Sequence, residues 1–205
     1  MIITKGNMRL TIPNQLTILR ILLTPVFLYF FLRKTPTDQL IGSVVFTVAA
    51  LTDWYDGWYA RKFGVISRVG QFMDPLADKI LVISALIAFA VLNYVYAWMV
   101  WIIVIRDIFV TTNRIIALSI GKPIITHILA KWKTALQMVT IFVILIYTTL
   151  RNYFLPDPQP YTASYFDFIG ILMITVTILT IVSGIIYVVE NKALLLYLFR
   201  KIIRW

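Results

Sequence analysis

Apolar residues run through this chain in six blocks, over residues 15–32, 40–60, 75–94, 98–120, 128–150 and 166–189. Short polar stretches separate them. A bilayer crossing needs about 20 consecutive apolar residues, so each block is long enough to span. The expected fold is an all-α integral membrane protein with six transmembrane helices. Residues 1–205 form one domain, with a juxtamembrane segment at 1–14 and a tail at 190–205. The tail, "NKALLLYLFRKIIRW", is short, basic and ends in Trp205, which suits an interfacial amphipathic helix. "YFLPDPQPYTAS" carries three prolines and reads as the loop between the fifth and sixth spans. Lys5 and Arg9 precede the first apolar block, but no small-residue cleavage site follows, so that block reads as a retained span.

Composition supports this pattern: 60% of residues are hydrophobic and 14% charged, a balance foreign to soluble domains. There is no cysteine, which excludes disulfides and thiolate metal sites. The net charge of +10 could indicate nucleic acid in a soluble protein. Its placement points elsewhere. With the N-terminus cytoplasmic, the inner segments hold Lys5, Arg9, Arg61, Lys62, Arg68, Lys122, Lys131, Lys133, Lys192, Arg200, Lys201 and Arg204, and the outer ones only Arg33, Lys34 and Arg151. That bias puts both termini in the cytoplasm and leaves no call for a nucleic-acid partner. The expected location is a bacterial cytoplasmic membrane. Tyr94, Tyr96, Trp98 and Trp101 form an aromatic belt at the far interface.

Charges inside the spans are harder to account for. Asp53, Asp56, Asp74, Asp78 and Asp107, with Arg20, Lys79, Arg106 and Arg114, lie within or at the edges of apolar blocks. Such residues are costly in a bilayer and mark polar cavities or interhelical ion pairs. On a helix, Asp53, Asp56, Gly57, Ala60 and Arg61 fall within an arc of roughly 140°. Gly57 suits either a flat ligand lying on the backbone or close helix approach. Asp74 precedes Pro75 and could be an N-cap, with Pro75 at the first helical position. Asp78 lies four residues on, on the same side, and no cap explains it. Spans two and three are antiparallel across a short turn, so their two aspartate pairs converge at the cytoplasmic edge. Four carboxylates need cations to stay ionised together. All-oxygen donors favour Mg²⁺ or Mn²⁺, and two such ions suit displacement at phosphorus.

The pattern D-x-x-D-G-x-x-A-R-x8-G-x3-D-x3-D is complete at Asp53, Asp56, Gly57, Ala60, Arg61, Gly70, Asp74 and Asp78. It resembles the signature of the CDP-alcohol phosphotransferase family, whose six-span architecture agrees with the apolar blocks. The resemblance implies that a CDP-linked lipid donates its phosphatidyl group to an alcohol and releases CMP. It assigns Asp53, Asp56, Asp74 and Asp78 to two divalent ions and Asp78 to the general base. Gly57, Ala60, Arg61 and Gly70 would hold the nucleotide. Asn14 and Thr17 are placed with them as part of a lid on the first helix. A homodimer is also implied.

"IPNQLTILRI", "IRDIFVTTNRI" and "KWKTALQM" resemble the branch of the family that uses CDP-diacylglycerol as donor and sn-glycerol 3-phosphate as acceptor. A phosphorylated acceptor needs buried cations. The candidates are Arg106, Arg114, Lys131, Lys133 and Arg20. Arg106 lies near the membrane midplane, where Asp107 can orient it. Lys131 and Lys133 stand about 200° apart on an ideal helix, so one points inward and the other can anchor at the interface. Asn14 could instead cap the first helix, and Arg20 could snorkel. His127, in a loop, reads as solvated. Other acceptors within the family are phosphatidylglycerol, serine and inositol phosphate. Outside it, the carboxylates could form an ion-transport site, or the fold could serve as a non-catalytic scaffold.

Overall fold

The computed structural model describes the backbone of residues 12–63, 68–119, 127–155, 161–192 and 195, and within these the side chains of all but 12–14, 54, 56–61, 63, 68–75, 118 and 119. Six helices follow one another, and no strand occurs among the described residues: α1 Ile12–Phe31, α2 Pro36–Phe63, α3 Arg68–Val91, α4 Ala97–Ser119, α5 Ile128–Phe154 and α6 Phe168–Glu190. The termini of the chain lie outside the described residues, as do Lys122 and most of the expected interfacial tail.

Helix ends show why the bounds differ from the apolar blocks. α2 starts four residues before its block because "TPTD" builds a cap. Thr35 Oγ1 accepts the Asp38 amide at 3.1 Å and donates to its carboxylate at 2.8 Å, while Pro36 fills the first helical position. Lys34, at φ 62°, turns the chain from α1 into this cap. Asp167 caps α6 by accepting the Gly170 amide at 2.7 Å. His127 has a local role too, since its Nδ1 accepts the Leu129 amide at 3.2 Å at the start of α5.

Two cap expectations fail. α3 begins at Arg68, so Asp74 and Pro75 lie inside it and Asp74 is not its N-cap. α1 begins at Ile12, which puts Asn14 in its first turn rather than before it. In both cases the polar residue ahead of an apolar block marks where the hydropathy changes, not where the helix starts.

The chain forms two compact units, Met1–Tyr94 with Val143–Tyr161, and Val95–Phe142 with Thr162–Trp205. α5 contributes to both. In the first unit α1, α2 and α3 pack around Phe27, Phe31, Phe46 and Phe89, all at 0% exposure. Their rings meet at centroid distances of 5.3 to 5.5 Å, within the range where tilted aromatic pairs attract. Gly42 lets α2 close on α1, for a Cβ there would lie 3.0 Å from that of Phe31. A polar seam runs alongside. Gln39 donates to the Tyr94 hydroxyl at 3.1 Å and accepts from Asn152 Nδ2, and the Ser43 and Thr149 hydroxyls meet at 3.3 Å. Tyr94 is therefore a packing residue, whereas Trp98 and Trp101 are exposed.

In the second unit α4 packs on α6. Val110, Ala117 and Tyr187 form a small core with Leu195. Trp98 Nε1 donates to the Tyr165 hydroxyl at 3.3 Å, and Tyr96 stacks on the Tyr165 ring at 4.0 Å.

Candidate active site

The first unit carries the aspartate motif. Asp53 and Asp56 lie on α2, and Asp74 and Asp78 on α3. Spacings of three and four residues keep each pair on one side of its helix. The side chains of Asp56, Gly57, Ala60, Arg61, Gly70 and Asp74 lie outside the described set, as does that of Asn14. Asp53 and Asp78 are described, and both are partly exposed.

Arg20 is placed by the structure against this motif. Its Nη1 stands 2.5 Å from Asp53 Oδ1, with side-chain exposures of 0% for Arg20 and 37% for Asp53. The guanidinium does not snorkel to solvent, because the carboxylate on α2 gives it a closer partner within the protein. Arg20 thus meets a carboxylate rather than the other cations expected to bind acceptor phosphate. Thr17 and Thr24 share its buried face, and Thr24 Oγ1 donates to the Arg20 carbonyl at 2.9 Å.

The second unit holds a separate polar cluster. Asp107, 1% exposed, receives two cations on one oxygen: Lys133 Nζ at 2.6 Å and Arg106 Nη1 at 3.1 Å. Arg106 is the tenth residue of α4, about 14 Å along the helix. A guanidinium largely withdrawn into the protein needs internal partners, and Arg106 Nη2 finds one in the Ser183 hydroxyl at 3.0 Å. Gly184 makes room for it, since a Cβ there would stand 3.3 Å from Arg106 Cγ. One carboxylate between two cations leaves the cluster a net positive charge, which suits an anionic ligand.

Of the two lysines, Lys133 is buried at 0% exposure and Lys131 is exposed. Lys131 does not join the cluster. Lys133 is correspondingly not an interfacial anchor, because Asp107 holds its ammonium inside the protein. Arg114 is exposed and lies with Arg106 in electrostatic reach of the Tyr187 hydroxyl. Asn113 turns back to the Phe109 carbonyl at 2.8 Å.

Helical spacing puts Gln137 on the face of Lys133, whereas Ser183 and Tyr187 were not anticipated. Gln137 follows Lys133 by one helical turn, a spacing visible in "KWKTALQM". Ser183 and Tyr187 are also four apart, but they sit in an apolar run with no charge to single them out. The buried atoms Arg106 Nε, Gln137 Nε2, Gln137 Oε1 and Tyr187 Oη have no hydrogen-bond partner within the protein. Buried polar groups are ordinarily satisfied, so such a group of orphans implies a ligand or water.

A helical fold, a complete aspartate signature on consecutive helices and a buried cation cluster define a membrane phosphotransferase class. The chain belongs to the CDP-alcohol phosphatidyltransferase family, whose profile matches residues 10–190. Among its relatives is the CDP-diacylglycerol–glycerol-3-phosphate 3-phosphatidyltransferase of Bacillus subtilis strain 168, 32% identical over 192 residues, or 88% of this chain and 94% of that protein. Proteins of the same name from Wigglesworthia glossinidia brevipalpis and Rickettsia bellii strain RML369-C are 33% and 31% identical, covering 80% and 86% of this chain and 93% and 92% of their own lengths.

Proposed function

We propose that this protein transfers the phosphatidyl group of CDP-diacylglycerol to sn-glycerol 3-phosphate, giving phosphatidylglycerophosphate and CMP. The observation that carries the reading is the intact eight-residue signature in a chain covered almost end to end by relatives named for that reaction. The 1-hydroxyl oxygen of the acceptor bonds to the β-phosphorus of the donor. The bond from that phosphorus to the CMP oxygen breaks, and the acceptor proton passes to Asp78.

The donor set of the aspartate motif fits hard divalent cations: four carboxylates from two helices, with no cysteine thiolate in the chain to compete. Asp53 already draws a buried guanidinium, a sign of how strongly this position attracts positive charge. Asp53, Asp56, Asp74 and Asp78 would hold two Mg²⁺ or Mn²⁺ ions. Bound there, they supply charge neutralisation at the diphosphate. Gly57, Ala60, Arg61 and Gly70 would seat the nucleotide, with Asn14 and Thr17 on the adjoining helix. Arg106 and Lys133 would bind the acceptor phosphate, assisted by Arg114. Lys131, on the exposed side of α5, would only raise the local positive potential.

Six membrane spans with cytoplasmic termini and a cytoplasmic site complete the proposal, in a bacterial inner membrane and as a homodimer. Among the described residues, Ile128–Phe154 and Phe168–Glu190 are long and apolar enough to cross a bilayer. Large apolar residues are exposed along α4 and α6, including Trp101, Ile105, Ile108, Ile178, Ile185 and Val189. Faces of this kind suit lipid rather than water.

Asp78→Asn tests the chemistry. It should abolish CMP release while the purified protein keeps its helical signal and elution volume. Turnover near that of the unaltered protein would remove Asp78 from the reaction.

A further inference from the structure

The buried amide of Gln137 has no role in the reaction so far. It is 1% exposed, and neither Nε2 nor Oε1 has a partner. An unsatisfied buried donor or acceptor is expensive, and here one side chain carries both. Gln137 belongs to the unit that holds Arg106, Asp107 and Lys133, one turn along α5 from Lys133. Tyr187, 6% exposed with an unpartnered Oη, lies one turn along α6 from Ser183, the partner of Arg106.

The orphans differ in what they demand. Arg106 Nε and Gln137 Nε2 are donors and need an acceptor. A phosphate dianion provides acceptors only. Gln137 Oε1 is an acceptor and needs a donor, which a phosphate dianion cannot offer. The hydroxyls of the acceptor molecule are its donors. The 1-hydroxyl gives up its proton in the transfer, so the 2-hydroxyl is the one free to serve. A hydroxyl both donates and accepts, which matches the two ends of a carboxamide.

We infer that Gln137 is a specificity-determining residue that reads the 2-hydroxyl of sn-glycerol 3-phosphate, while Tyr187 donates to its phosphate. This rests on the proposed acceptor. It goes further by naming the part of the molecule that is recognised and the residue that recognises it. A site built to pair a hydroxyl discriminates against an analogue without it, because the protein groups are left unsatisfied.

The test compares sn-glycerol 3-phosphate with 3-hydroxypropyl phosphate, which keeps the phosphate and the primary hydroxyl but lacks the 2-hydroxyl. Both are assayed by CMP release on the same preparation, so the ratio of kcat/KM does not depend on the folded fraction. The unaltered protein should prefer glycerol 3-phosphate by about 10- to 100-fold. Gln137→Leu should reduce that preference to within about threefold, the residue of the coupling between one side chain and one hydroxyl. Tyr187→Phe should raise KM for both acceptors and leave the ratio unchanged. Retention of the original ratio in Gln137→Leu overturns the inference, as does a protein that never distinguished the two. If neither compound supports CMP release while another alcohol does, the acceptor assignment fails and takes this inference with it.

Discussion

Breaking the contact between Arg20 and Asp53 should cost different amounts from its two ends. The guanidinium is at 0% exposure and the carboxylate at 37%. Asp53→Asn leaves a fully buried cation without the carboxylate 2.5 Å away. Loss of one partner from a buried pair costs about 3–5 kcal/mol. Arg20→Gln leaves a carboxylate that reaches water, so the loss falls nearer that of a charged hydrogen bond, about 1–2 kcal/mol. For a chain of this size each kcal/mol moves Tm by roughly 2–4 °C. The two variants should therefore fall by roughly 6–20 °C and 2–8 °C respectively. The assay is thermal unfolding in detergent with divalent ions chelated, so that no metal competes for Asp53. The double variant Arg20→Gln with Asp53→Asn should lose less than the sum of the two, with a coupling of about 1–3 kcal/mol. Equal costs, a reversed order or strict additivity would refute the placement of this pair.

Further outcomes concern the second unit and the metal motif. Asp107→Asn removes the negative charge shared by buried Lys133 and part-buried Arg106 and should be among the most destabilising single changes, at about 3–5 kcal/mol by the same unfolding assay. Lys133→Met should raise KM for glycerol 3-phosphate at least tenfold, the loss of one charged hydrogen bond, whereas Lys131→Met should change it less than about threefold. Gly184→Leu drives a side chain into Arg106 Cγ, and activity should fall with a raised acceptor KM and little change in the donor KM. Chelation should abolish turnover, and Mg²⁺ or Mn²⁺ should restore it and raise Tm in the unaltered protein but not in Asp53→Asn.

Much of the helical plan can be read from apolar blocks, because each is close to the length a helix needs. The ends cannot be read that way. Thr35, Pro36 and Asp38 begin α2 in a stretch too polar to count as a block, and Asp74 with Pro75 mimics a helix start in the interior of α3. The aspartate motif stands out in the sequence because its spacing is rigid and its residues are costly in an apolar run. Arg20 was not assigned to Asp53, since the two are 33 positions apart and only packing of α1 on α2 brings them together. Lys131 and Lys133 were separable by helical angle, but which one faced inward waited on Asp107. Ser183 and Tyr187 carry no charge and interrupt no apolar run, so pattern alone passes over them.

The acceptor is the centre of the account. Purified protein should be given CDP-diacylglycerol and Mg²⁺ with labelled glycerol 3-phosphate, phosphatidylglycerol, serine or inositol phosphate, and CMP and labelled lipid followed together. Glycerol 3-phosphate should yield equal amounts of CMP and labelled phosphatidylglycerophosphate, with the other acceptors near background. CMP released with another acceptor and not with glycerol 3-phosphate contradicts the account.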